Sequence, residues 1–252
     1  MEFEMIDEKS KKAEVLPVVR KNGLDLKNAS EELRGDREVV IRAVRQNGYA
    51  LRYASEELRG DRDVVMEAVR QNSDALQYAE QLRGDREVVI RAVQQNGCAL
   101  QHASEELRGD RDVVMAAVRQ DGLALEYASE YLRGDREVVM AAVRQDGLAL
   151  EYASEYLRGD REMVLAAVKN DGHALFWASK ELRADRDFML EAVKQDVRAF
   201  IYASVELKRD KKVVLAAVQQ NGRAVYYFSD ELRIEMAECW AKCMDCEVKN
   251  DL

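Results

Sequence analysis

The sequence predicts an all-α fold, a right-handed α-solenoid of short two-helix hairpins with 25-residue repeats, and two observations carry that prediction. One phrase returns along the chain almost letter for letter, with its LRGDREVV, LRGDRDVV or variant ending at Leu33, Leu58, Leu82, Leu107, Leu132, Leu157, Leu182 and Leu207. Repeats of this length build arrays in which each unit packs chiefly on its neighbours. Within each copy the apolar residues recur at helical spacing. The step from Leu58 to Leu82 is 24 residues where the neighbouring steps are 25. A deletion tolerated in one unit means that the stabilising contacts are local.

Residues 1–10 are expected to be a frayed lead-in, and the first helix to begin near Lys11. Glu14 stands in the slot of Val39 and Pro17 in that of Arg42, so this helix is atypical, with a kink or a late start near Val15 to Pro17. In the next unit Val39, Val40, Ala43 and Val44 fall on one side of a helix, leaving Arg37, Arg42 and Arg45 on or near the other. A second stripe, Ala50, Leu51, Ala54 and Leu58, belongs to a second short helix. Asn47-Gly48 separates the two, and Gly35-Asp36 separates one unit from the next. A glycine can end a helix in the left-handed conformation, and Asp36 is placed to accept the free amides of the following first turn. Helices of 10 or 11 residues, about 16 Å long, are marginal alone in water. Stacking must hold them, and small residues such as Ala43, Ala68 and Ala117 allow close approach.

Nine hairpins are expected over residues 11–234, followed by a C-terminal capping helix and tail at 235–252. In that last segment Cys239 and Cys243 take the apolar slots of Val214 and Val218, while Glu238 and Lys242 replace Val213 and Ala217. A helix without a successor should keep half its stripe and charge the rest. At 252 residues the chain would often divide if globular, but a solenoid has no single core to outgrow.

With 47% hydrophobic and 35% charged residues the chain is expected to fold and not to be disordered. The formal charge, 39 basic minus 48 acidic residues or −9, disfavours an undirected grip on nucleic acid. No run approaches the ~18 apolar residues of a membrane span, and MEFEMIDEKSKK lacks the character of a signal peptide. Cys98, Cys239, Cys243 and Cys246 are not spaced as a disulfide scaffold, so a cytoplasmic protein with reduced thiols is expected.

Nothing in the chain reads as a catalytic centre, and no cofactor or metal is expected. Cys239, Cys243 and Cys246 have a spacing also seen around iron–sulfur clusters, but the first two are explained as core residues in valine slots. His102 replaces an aromatic that is Tyr53, Tyr78 or Tyr127 in other copies, and His173 stands in a variable slot. Glu56, Glu57, Glu105 and Glu106 read as solvated faces, without the opposed environments of an acid–base pair. The LRGDR phrase lacks the lysine and preceding strand of a phosphate loop. Its Arg-Gly-Asp triplets sit in interhelix turns, where Asp is a cap and not an adhesion signal.

Two features remain as candidate function. Any slot repeated at 25 residues becomes a row, and Arg34, Arg59, Arg83 and their successors form one, Asp36, Asp61, Asp85 another, and Arg37, Arg62, Arg86, Arg111, Arg136, Arg161 and Arg186 a third. Such rows either pair with each other and fix the stacking, or present a positive stripe; Arg111, Arg136 and Arg161 are the candidate anion-binding ladder for an acidic peptide or phosphate-rich ligand. The second feature is departure from consensus. Tyr131 and Tyr156 replace a glutamate of SEEL, and Phe176 and Tyr226 stand in a slot that is polar earlier in the chain. With Phe228 they form a candidate interaction surface, since aromatics supply interface hot spots. Filling of a wider groove between the last units is the competing account.

The phrase spanning Asp110 to Gly134 and Asp135 to Gly159, with weaker copies from about Lys11 to Arg233, resembles a family of tandem short helical repeats classed as a domain of unknown function. Two such units make one domain in that family. The resemblance implies an all-helical repeat region with no assigned activity or ligand. Departures at Ser73, Ala184, Val197 and Arg209 touch the regularity of the stacking. The expected role is therefore a non-enzymatic scaffold or adaptor for a protein partner or for self-association, with anion binding through the arginine ladder as the alternative.

Overall fold

The computed structural model of the chain describes Asp7, residues 9–228, and Arg233 and Ile234. Every regular element among the described residues is helical. Nine ten-residue helices recur: Lys12–Lys21, Arg37–Gln46, Arg62–Gln71, Arg86–Gln95, Arg111–Gln120, Arg136–Gln145, Arg161–Asn170, Arg186–Gln195 and Lys211–Gln220. The expected closing helix from Glu235, with Cys239, Cys243 and Cys246, lies outside the described residues.

The aspartate of each LRGD phrase starts these long helices as expected. Asp61 Oδ1 accepts from the Asp63 and Val64 amides, both at 3.0 Å, and Asp110 does the same for Asp112 and Val113 at 2.9 and 3.0 Å. The buried face is the expected one, with Val113, Val114, Ala117 and Val118 all fully covered. Each such valine contributes roughly 1.5–3 kcal/mol of gross burial energy. That sum offsets the ordering entropy of a helix too short to stand alone.

The second helix of the hairpin differs from expectation. It is two pieces, a six-residue 3-10 helix such as Gly122–Tyr127 and a single α-turn such as Glu130–Arg133. Ser129 causes the break. Its hydroxyl accepts the Leu132 amide at 3.4 Å as an N-cap, while the extended backbone at Ala128 turns the chain. Serine competes with the helix ladder by capping the next turn, so an A-S-E-[EY]-L stretch with helical periodicity does not run through as one helix.

The turns also need correction. No glycine among the described residues has positive φ; Gly35 sits at φ −95°, ψ −3°, within right-handed space. A one-turn helix needs no left-handed stop, because the Asp36 cap of the next helix takes over within one residue. Pro17 neither delays nor stops its helix, which begins at Lys12 and continues to Lys21. The bond that proline deletes is the one to the Ala13 carbonyl, and Ala13 is exposed to solvent.

The chain forms two compact units, Met1–Ser154 and Glu155–Leu252. Within each, successive ten-residue helices pack side by side and so do successive 3-10 segments, giving solenoid-like stacks of repeated helix-turn-helix units. The 24-residue step falls in the first unit. There Glu80–Leu82 forms a 3-10 turn in place of the α-turn and has no side-chain cap, since the deletion removes the serine.

Candidate interaction surfaces and the charge ladders

The arginine and aspartate rows meet. Arg37 donates through Nε to Asp61 Oδ2 at 3.2 Å and through Nη2 to Asp63 at 2.8 Å. Arg86 repeats this on Asp110 and Asp112 at 3.4 and 3.2 Å. Arg62 bonds Asp85 at 3.0 Å and also Glu87, and Arg111 bonds Asp135 at 3.3 Å and also Glu137. Lys12 fills the same role for the first copy, 2.8 Å from Asp36 and 3.1 Å from Glu38.

Each aspartate thus uses one oxygen to cap its own helix and the other to hold the preceding repeat. Burial pushes the Asp61 carboxyl up, but the Val64 amide and the Arg37 guanidinium outweigh it and hold it below its ordinary range. For Asp110 the Val113 amide is the largest influence, and the result is again a lowered pKa.

Arg111, named above as part of an anion ladder, therefore has its guanidinium engaged with carboxylates of the same stack. In the second unit Arg161 lies 3.1 Å from Glu191 and 3.8 Å from Asp185, with its guanidinium 5.3 Å from the centre of the Phe188 ring. Arg136 occupies the same register between them in sequence. The other arginine row is half-buried, and the Nε atoms of Arg34, Arg59, Arg83, Arg108, Arg133, Arg158 and Arg183 are buried without a hydrogen-bond partner. Those atoms are out of a ligand's reach. The backbone of this row is used instead: the Ser55, Ser104, Ser129 and Ser179 amides donate to the carbonyls of Arg34, Arg83, Arg108 and Arg158 at 2.8–2.9 Å.

A further ladder went unnoticed in the sequence. Glutamines that end long helices reach back, so that Gln46, Gln120 and Gln145 Oε1 accept the amides of Gly23, Gly97 and Gly122, each at 2.6 Å. The signal was available in the recurrent Gln at 46, 71, 95, 120, 145, 195 and 220, one residue before the Asn or Asp of the turn. In the second unit Asp196 does this work for Gly172 at 2.9 Å, held by Arg198 at 2.6 Å.

The aromatics divide. Tyr131 in the first unit is 82% exposed; Tyr156, Phe176 and Tyr226 in the second are 84%, 52% and 76% exposed. Phe228 is not part of a surface. It is buried, with its ring centre 5.0 Å from that of the fully buried Phe200. Phe188 is fully buried too, in a valine slot. Phe176 meets Trp177 edge-to-face at 4.8 Å and Tyr202 at 5.8 Å, and Tyr202 Oη is 2.8 Å from His173 Nδ1. This cluster borders a cleft of about 430 Å³ that Arg158, Lys180 and Arg183 also line.

His102 is half-buried in its aromatic slot, and burial lowers its pKa. Burial likewise pushes the Cys98 thiol up to about 11, helped by Asp121, whose carboxylate lies 3.3 Å from Sγ. A thiol so protected is not a nucleophile at neutral pH. Among the described residues no three His, Cys, Asp or Glu side chains gather as a metal site would require, and no helix is long and apolar enough to cross a membrane.

Stacked two-piece hairpins tied by Asp, Gln and Ser ladders define a tandem helical-repeat protein. The chain belongs to the family of the domain of unknown function DUF4116, whose model matches residues 15–59, 36–83, 85–133, 135–183 and 185–233. These matches together run from residue 15 to residue 233, and each covers close to two repeats. No curated protein and no solved structure matches the chain.

Proposed function

We propose that the chain is a non-enzymatic, cytoplasmic scaffold or adaptor, its hairpins wound as the right-handed array expected from the sequence, which presents aromatic side chains to a protein partner or to a second copy. The supporting observation is the exposure of Tyr131, Tyr156, Phe176 and Tyr226 at slots where other repeats carry polar residues. Large aromatics left in water carry a solubility cost, and burial of such rings dominates many interfaces. The anion-ladder alternative draws no support from Arg111 or Arg161, whose donors meet carboxylates within their own stacks.

Light scattering coupled to size exclusion on the native chain and on Phe176→Ser/Tyr226→Ser tests the reading. Phe228 stays untouched, because its replacement would open the core. A native dimer that becomes monomeric with unchanged helicity assigns the surface to self-association. A monomer whose aromatic variant loses a captured partner assigns it to an outside protein. Equal behaviour of both chains in assembly and capture sinks the proposal.

A further inference from the structure

One cleft in the second unit departs from the repeat in both size and charge. It has a volume of about 430 Å³ and is lined by Phe176 and Trp177, by Arg158, Lys180 and Arg183, and by Glu155 and Glu181. The same register in the first unit holds a cleft of about 60 Å³ between Glu56, Arg59, Tyr78, Glu80 and Gln81. Two carboxylates and one guanidinium there become two carboxylates and three cations here. Lys180 reverses the sign, since each earlier copy has glutamate in that slot, from Glu31 to Glu155. Phe176 likewise takes the slot of Gln77. Among the described residues Lys180 makes no ion pair, and Glu181, which meets its own amide and the Ser179 hydroxyl, acts on it only at longer range. Arg158 and Arg183 make none either, although their counterparts Arg34 and Arg108 lie 4.0 and 3.8 Å from Glu31 and Glu105.

We propose that this cleft receives the Glu130–Tyr131 turn of a second copy, so that the chain associates with itself through two different patches. The proposal rests on the aromatic-surface reading above and names its partner. Tyr131 is the complementary departure from the repeat. It replaces a glutamate of SEEL and stands 82% exposed on the one-turn helix Glu130–Arg133. Glu130 beside it is exposed and makes no ion pair among the described residues. The turn therefore offers a ring and a carboxylate side by side, and the cleft offers the half-exposed Phe176 ring and the Lys180 ammonium. Tyr131 against Phe176 removes from water two rings that their own stacks leave exposed, in an offset or edge-to-face contact. Glu130 meets Lys180, with Arg158 and Arg183 on the walls of the cleft. The sister turn Glu155–Arg158 is not the donor, because Glu155 and Arg158 already line the cleft. Since the two patches differ, one contact needs an intact turn on one chain and an intact cleft on the other.

Sedimentation velocity at low ionic strength tests this on the full chain and on two variants checked for native circular dichroism. The sedimentation coefficient of the native chain should rise with concentration. Tyr131→Ser, which loses the ring of the turn, and Phe176→Ser/Lys180→Glu, which loses both groups of the cleft, should each weaken association at least tenfold. Mixed together, the two variants should form a complex that neither forms alone, because each keeps the half that the other lacks. A native chain that stays monomeric at every concentration, variants that associate like the native chain, or a mixture without a complex would each overturn the inference. The wider aromatic-surface reading is judged separately. A monomeric chain that captures an outside protein, with capture lost in Phe176→Ser/Tyr226→Ser, overturns self-association alone and leaves that surface standing.

Discussion

Glycine and cysteine show how much one atom decides in a stack this close. A Cβ built on Gly97 would stand 2.5 Å from the Ala117 carbonyl oxygen and 2.9 Å from Asp121 Cβ, so neighbouring backbone, not a flexible side chain, is in the way. Among the described residues nothing lies within 4 Å of a Cβ built on Gly222. Gly97→Ala should cost roughly 2–4 kcal/mol through overpacking and loss of the Gln120 bond. Gly222→Ala should be neutral or stabilise by up to about 1 kcal/mol through the unfolded chain. Urea midpoints read both, and equal midpoints would refute the close-approach account. At Cys98 the raised thiol pKa makes a different claim. Peptide-mapped iodoacetamide labelling at pH 8 should be far slower than for a free thiol. Asp121→Asn should speed it while keeping the cap on the Leu123 amide, as Asn47 and Asn96 cap Tyr49 and Cys98. Labelling of the native Cys98 at the free-thiol rate would remove the shielding argument.

Between elements, the fold rests on side chains that serve two repeats at once. Arg111 and Asp135 are 46% and 23% exposed, so each rung is screened and contributes about 0–1 kcal/mol. Arg111→Ala/Arg136→Ala/Arg161→Ala should therefore lower the melting temperature by a few degrees without loss of helicity. An unchanged melting temperature would deny the ladder a structural role. The carboxyl partners set the pH response. Asp36, Asp61, Asp85, Asp110 and Asp135 all have lowered pKa values in the folded chain. Their contribution is fully present above the unfolded value near 4 and is lost as pH falls through the lower folded values. Unfolding at fixed urea should become steeply easier below about pH 4, and a flat response there would contradict the assignment. These rungs were half legible in sequence. The Asp36 cap and the Val39/Val40/Ala43/Val44 stripe follow from neighbours a few residues away, so local pattern reached them. The Gln120 to Gly97 bond and the Ser129 to Arg108 link join residues about one repeat apart. Periodicity aligns such residues but does not say which atoms meet. Phe228 was misjudged for the same reason, because exposure at its slot depends on Phe200 in the preceding copy.

At the scale of the whole chain, a repeat is removable if the cut is in phase, because the main element contacts within the first unit join a copy to itself and to its neighbours. Excising Asp110–Gly134 joins Gly109 to Asp135 and restores the LRGDRE phrase unbroken. Arg86 then meets Asp135 and Glu137 where it now holds Asp110 and Asp112. Gln145 replaces Gln120 as acceptor for the Gly97 amide, and Ser154 replaces Ser129 as donor to the Arg108 carbonyl. Every rung is remade with a residue of the same type or the same charge, and what is lost is one hairpin and one interface. The shortened chain should keep its helicity per residue and melt cooperatively at a lower temperature. Its urea m-value should fall by about a tenth, as 25 of 252 residues are removed. Excision of 110–121 alone deletes a long helix and places Gly122 directly after Gly109, so the 3-10 segment that follows has no helix of its own to cover it. That chain should lose cooperative melting. If the in-phase excision were as damaging as the out-of-phase one, stability would depend on contacts beyond neighbouring repeats, and the nearest-neighbour account of this fold would fail.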